Sequence, residues 1–314
     1  MWAAVAACGS GGKAPRAQAV TAPAATRHAK RWRLPHLRAP AAVLHDTKSD
    51  VYLVSNVVGD PLAEDDRAFI SRIAPSGRVL KARFIDARQP GVELNAPRGM
   101  AIVADVLFVA DLRCVRRFDR VSGQPLGAIA VPGASLLTGL AVDAAGKVYV
   151  SDSALQQGRD GLQATGTDAL YRLDKEERFV PLTATPTLAH PKGMVFHQGT
   201  LYVASFGAGQ VLALSPKGEL LATHQAPVGG LDGLVVSDKG EFWVSSWEAS
   251  ALLSLAPSGR FRARHEGLRS PAGIAFDARR GRLLVPHFTA RALSVVSVPG
   301  SANANKASKE RRGL

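Results

Sequence analysis

Between residues 39 and 300 short hydrophobic strands alternate with polar turns, and the alternation follows a repeated order. Each unit opens on a Pro-X-Gly or Leu-X-Gly step and runs into an apolar strand. A polar turn follows, then a strand that ends on a polar residue, then two more strands. The openings are P-R-G-M at 97–100, L-T-G-L at 137–140, P-K-G-M at 191–194, L-D-G-L at 231–234 and P-A-G-I at 271–274, with a degenerate P-A-A-V at 40–43. Gly99 and Gly139 are 40 residues apart, as are Gly193, Gly233 and Gly273 in succession. A period near 40 with four short strands predicts the blade of a β-propeller, because one such sheet cannot bury both faces alone and must pack radially against copies of itself. The expected fold is therefore all-β, with six blades of four antiparallel strands.

Blade three shows the unit most clearly: G-L-A-V-D at 139–143, K-V-Y-V-S-D at 147–152, A-L-Y-R-L-D at 169–174 and F-V-P-L-T at 179–183. Alternating Val, Tyr, Phe and Leu suit strands packed on one or both faces. Blade six offers only three strands after Pro271, and R-R-W-R-L-P-H at 30–36 is the natural fourth. Such a closure covers an exposed sheet edge and ties the chain ends together, with Trp32 and Leu34 as anchors. Two insertions, 57–67 in blade one and 153–167 in blade three, both fall between the second and third strands. Both loops are therefore expected at the same end of the ring, where binding residues usually sit.

Strand direction places two polar rings at that end, because the first strand starts where the second one ends. The first-strand openings supply Ala41, Arg98, Thr138, Lys192, Asp232 and Ala272; the second-strand exits supply Asn56, Asp111, Asp152, Ser205, Trp247 and His287. This mixed-charge mouth reads in two ways. Ion pairs and carboxylate caps on loop amides would consume it internally. Alternatively, Arg98 and Lys192 clamp an anionic ligand (a carboxylate, phosphate or acidic sugar) with Trp247 as an apolar wall. The candidate ligand-binding set is Arg98, Lys192, Asp232, Asn56, Asp111, Asp152 and Trp247. Asp232 and His287 are the catalytic candidates, His287 as a general base near neutral pH.

The net charge of +13 changes this picture little once it is located. Residues 1–38 carry +7 with no acid and residues 301–314 carry +3, so the propeller region is nearly neutral. Basic tails of this kind favour solubility or loose attraction to polyanions. The body lacks the basic, aromatic face that base stacking requires, and no nucleic-acid partner is expected. Only Cys8 and Cys114 are present, without C-x-x-C or a Cys/His cluster, which argues against a structural zinc site. Cys114 reads as a small buried strand residue. No G-x-S-x-G, H-E-x-x-H, P-loop or G-x-G-x-x-G pattern occurs.

Two resemblances add to this reading. V-A-A-C-G at 5–9 resembles a bacterial lipobox, although only seven residues precede Cys8 and no basic region leads it. It implies a lipid anchor through Cys8 and a periplasmic or outer-membrane location. Composition without periodicity makes 1–28 a signal remnant and disordered linker, ahead of a propeller at 29–300 and a basic disordered tail at 301–314. Without the anchor the expected location is the cytoplasm. The repeat set, with V-Y-L-V-S-N-V-V-G-D-P-L-A at 51–63 and F-I-S-R-I-A-P-S-G-R-V at 69–79, resembles NHL-type propellers. It is more similar to the senescence marker protein/gluconolactonase/luciferin-regenerating enzyme family. That resemblance implies a divalent cation, calcium or zinc, polarising a lactone carbonyl in the channel mouth. Of the family's ligands this chain keeps Asp232; Ala41 stands at the Glu position and Thr138 and Lys192 at the Asn positions. The reading that follows is an envelope propeller with a degenerate metal site, binding a small anion or an envelope protein. The alternative is a metal-dependent hydrolase of lactones or esters.

Overall fold

The computed structural model describes residues 30–158, 161–256 and 258–300. The segment holding Cys8 and the tail at 301–314 lie outside them. Six four-stranded antiparallel sheets form the ring. Blade one contains Pro40–Asp46, Val51–Asn56, Phe69–Ile73 and Val79–Asp86, and each later blade repeats that order. Blade six is built from Ala275–Asp277, Arg282–Pro286, Ala292–Ser297 and, on its outer edge, Lys30–Arg33, which pairs from Lys30↔Val295 to Arg33↔Ala292. The N-terminal closure expected from the sequence is therefore present.

The core is divided among the junctions. One apolar cluster fills each gap between neighbouring blades, for example Leu53, Ile70, Met100 and Val109 between blades one and two. Trp32 and Leu34 belong to the cluster between blades six and one, with Tyr52 and Leu293. A further cluster lies at the channel mouth and joins Val57 and Leu62 of the first insertion to Leu155 of the second. Both insertions thus reach the same end. The second one is not an irregular loop but forms a hairpin of its own, Leu155–Gly158 against Gly161–Ala164. Cys114 is half-buried rather than buried, and burial pushes its thiol up to about 11, far from thiolate formation at neutral pH.

The repeat glycines have a packing reason. A Cβ on Gly99 would lie 2.5 Å from the Thr138 carbonyl oxygen, one on Gly193 2.4 Å from that of Asp232, and one on Gly233 2.4 Å from the Ile274 nitrogen. The innermost strands approach one another, backbone to backbone, around the channel. Alternate blades add a staple. Ser55 Oγ accepts from Ala42 N–H and donates to the Arg98 carbonyl; Ser151 does the same between Gly139 and Lys192, and Ser245 between Gly233 and Ala272. Each hydroxyl joins its own blade to the next one. These carbonyls belong to residues of the mouth, so the staples also fix the site.

At the junction of blades six and one a polar latch completes the closure. Asp277 accepts from Tyr52 OH, Arg280 Nη1 and Arg282 Nε, and Arg280 also pairs with Asp50 at 2.5 Å. Burial opposes ionisation of Asp277, but the hydrogen bonds of Tyr52 and Arg280 outweigh it and hold its carboxyl below the usual range. The Arg280 hydrogen bond does the same for Asp50. A carboxyl whose pKa is lower folded than unfolded stabilises the fold above its unfolded value near 4 and loses that contribution as pH falls. The melting temperature is therefore expected to drop steeply below about pH 4. Asp277→Asn should flatten that slope, and an unchanged pH profile in this variant would remove the latch from the account.

Candidate functional site

The mouth of the channel is a cavity of about 100 Å³. Its collar is the first-strand ring, Ala41, Arg98, Thr138, Lys192, Asp232 and Ala272. Beneath it lies the residue after each glycine position: Val43, Met100, Leu140, Met194, Leu234 and Ile274. The collar is thus polar in four blades, with Ala41 and Ala272 in the other two, and the wall below it is apolar throughout, a pattern written into the opening tetrapeptides.

The second ring has another task. Asn56 Oδ1 accepts from Arg38 N–H, the Asp111 carboxylate from Asn95 and Ala96, and the Asp152 carboxylate from Ser135, Leu136 and Ala154. Ser205 and Ser246 donate to the Ala189 and Gly229 carbonyls, and His287 Nδ1 sits 3.0 Å from the Arg269 carbonyl. In all six blades one partner lies two residues ahead of that blade's opening. Acceptor side chains hold an N–H in blades one to three, and hydroxyl or imidazole groups hold a carbonyl in blades four to six. The ring pins each incoming segment from behind. Of the predicted site residues, Asn56, Asp111, Asp152 and His287 do not line the cavity, so the expectation that both rings face the mouth is corrected here. Asp111 also pairs with Arg116 at 2.5 Å. His287 is 1 % exposed, its other ring nitrogen is 2.7 Å from Ser294 Oγ, and burial pushes its pKa down to about 4.

Arg98, Lys192, Asp232 and Trp247 do come together at the cavity. Lys192 Nζ donates to Asp232 Oδ2 at 3.1 Å, both side chains being 14 % exposed. The same ammonium lies 4.3 Å from the centre of the Phe206 ring and 5.5 Å from that of Trp247, close enough for cation–π attraction. Trp247 in turn contacts Phe206 and Phe288, with centroids 6.2 and 5.4 Å away. These three aromatics each follow the second-strand exit residue of blades four, five and six. The same position carries Val57, Leu112 and Ser153 in blades one to three. Aligning the repeats at that one position exposes the aromatic half-ring. The exit residues alone, Ser205, Ser246 and His287, do not show Phe206 and Phe288, and Trp247 stands one position past its blade's exit rather than at it.

Arg98 stands on the other side. Its Nη2 donates to the Pro61 carbonyl at 3.0 Å, so the first insertion is tied to the mouth through it. Its Nε is buried without a hydrogen-bond partner among the described residues, and no carboxylate lies within ion-pair distance there. Burial depresses its pKa, against the pull of Asp232 and Asp111, yet a guanidinium stays protonated at any ordinary pH. Thr138 is consumed: its hydroxyl contacts Ser151, Ser153 and the Pro191 carbonyl.

A hard divalent cation takes about six oxygen ligands. The collar offers one carboxylate, and Lys192 already holds it. Among the described residues no three His, Cys, Asp or Glu side chains are grouped to hold a metal ion. The donor set does not fit such a cation.

No protein-family model matches the chain, and no curated protein matches it either. Solved structures do. A virginiamycin B lyase from Staphylococcus aureus superposes with a TM-score of 0.60 at 12% identity, over 86% of this chain and 99% of that one. A gluconolactonase from Xanthomonas campestris gives 0.59 at 18% identity, over 90% and 100%. A chain of the nidogen/laminin complex gives 0.56 at 16% identity, over 72% and 80%. At these identities the likeness shows the fold: a six-bladed propeller of the kind found in gluconolactonase and virginiamycin B lyase structures.

Proposed function

We propose that this chain is a binding propeller that holds a small anion at the channel mouth, on a site whose metal ligands have degenerated. The observation that carries this reading is the state of the two collar cations. Lys192 is neutralised by Asp232, while among the described residues Arg98 has only a carbonyl as a hydrogen-bond partner. A half-buried guanidinium has lost part of its hydration, and a carboxylate or phosphate restores the lost interaction through charge-assisted hydrogen bonds. Lactone hydrolysis of the metal-assisted kind needs a cation shell, and a lysine ammonium on the sole collar carboxylate opposes one. We assign the protein to the cell envelope on the lipobox-like segment at Cys8, with the propeller as the soluble module.

The test is thermal. Sodium acetate, benzoate, gluconate and phosphate are compared with sodium chloride at equal ionic strength. At least one of them should raise the melting temperature of the wild type saturably by several degrees, as a ligand present at about 100 times its Kd would. Arg98→Gln should abolish the rise. A general salting effect persists in the variant and does not saturate. No saturable rise, or an equal one in Arg98→Gln, would overturn the proposal.

A further inference from the structure

Resting on the anion reading, we infer that the ligand class is an aryl monocarboxylate: one negative charge on a flat apolar ring, not a hydroxylated sugar acid. Charge comes first. Among the described residues the collar leaves one cation, Arg98, outside an ion pair, so the site balances a single negative charge. Shape and polarity come next. Trp247 and Phe288 line the half of the mouth formed by blades five and six, and Phe206 backs Trp247 from blade four. Ala41 and Ala272 leave room beside them. Rings prefer offset or edge contacts with other rings at 4.5–7 Å between centroids, and Trp247 already sits at such separations from Phe206 and Phe288.

The third argument concerns what the lining cannot give. A sugar acid brings four or five hydroxyls, each needing a partner once removed from water. The one collar hydroxyl, Thr138, is engaged three times over. Asp232 has one oxygen committed to Lys192, and below the collar the wall is Val, Met, Leu and Ile. A site built for hydroxyl groups would carry amide and hydroxyl side chains there. A benzoate-like ligand asks only for a guanidinium on one side and an apolar face on the other.

The experiment is calorimetric titration of the wild-type protein with sodium benzoate, sodium acetate and sodium D-gluconate at matched ionic strength, beside Arg98→Gln and Trp247→Leu. Benzoate should bind at least ten times more tightly than either acetate or gluconate. Trp247→Leu should lose most of that margin while acetate binding is unchanged, and Arg98→Gln should bind none of the three. If gluconate binds as well as benzoate and Arg98→Gln abolishes both, the aryl assignment is overturned and the anion site stands. If no carboxylate binds the wild type, the aryl assignment is overturned, and the anion site falls with it unless phosphate alone gives the saturable, Arg98-dependent rise. The wild-type comparison decides the matter even should Trp247→Leu fold poorly.

Discussion

Replacing Gly139 by alanine should lower the melting temperature by about 10 °C. The new Cβ would stand 2.0 Å from the Lys192 carbonyl oxygen and 2.9 Å from Ser151 Oγ. Neither is a flexible tip that can swing aside. The oxygen belongs to the next blade's backbone, and the hydroxyl is held between Gly139 N–H and that same carbonyl at 2.8 and 2.7 Å. Relief requires blades three and four to separate, which opens the apolar cluster at Tyr149, Leu170 and Met194 between them. Overpacking costs about 1–3 kcal/mol where side chains can shift and more where backbone must. At about 2–4 °C per kcal/mol for a domain of this size, a loss of 3–4 kcal/mol gives the stated drop. Blade one provides the comparison, since Ala42 occupies the glycine position there and contacts Gly273. Ala42→Gly should change stability by about 1 kcal/mol or less. A Gly139→Ala protein that melts within 2 °C of wild type would show that the glycine ring is not set by blade contact.

Removing the closure anchor should cost as much. Trp32 is 9 % exposed and belongs by hydrogen bonding to blade six, yet its ring lies on blade one. It stacks on Tyr52 with centroids 6.3 Å apart and covers Gly77 so closely that a Cβ there would be 2.8 Å from the indole. The Arg282 guanidinium sits 5.7 Å from the ring centre, adding cation–π attraction. One side chain thus joins the first and last parts of the ring. Trp→Ala at a buried site costs about 3–5 kcal/mol, so Trp32→Ala should melt roughly 10 °C lower and be cut by protease near the N-terminus at temperatures where the wild type resists. Trp32→Phe should recover most of the loss, because a ring remains on Tyr52 and Gly77. Equal melting of Trp32→Ala and wild type would mean that the N-terminal strand closes the sheet edge without bracing blade one.

Much of the fold was legible because a propeller repeats its constraints. A glycine recurring at a 40-residue spacing on both sides of the blade-three insertion, a polar residue ending each second strand and a missing strand in blade six each recur or stand out against the period, and the blades form where they predict. The candidate site was legible only in part. Arg98, Lys192 and Asp232 share one position of the repeat, and one position of a repeat maps to one ring of the structure. Asn56, Asp111, Asp152 and His287 share another, which lies behind the first and is occupied by loop amides and carbonyls. Sequence spacing gives the end of the blade at which a side chain sits, but not whether its polar atoms point toward the channel or back along the chain.

The chain by itself determined the number of blades, the order of strands, the closure by residues 30–36 and the chemistry of the collar, because strand period and repeat length are local quantities. The tertiary structure alone decided which collar cation is neutralised. Lys192 and Asp232 stand 40 residues apart, and Pro61 lies in an insertion outside the repeat. Only the ring's curvature brings the first two to 3.1 Å and the third against Arg98. Charge pairing is a matter of distance in space, and in a closed ring that distance is set by blades packing around an axis no segment encodes alone.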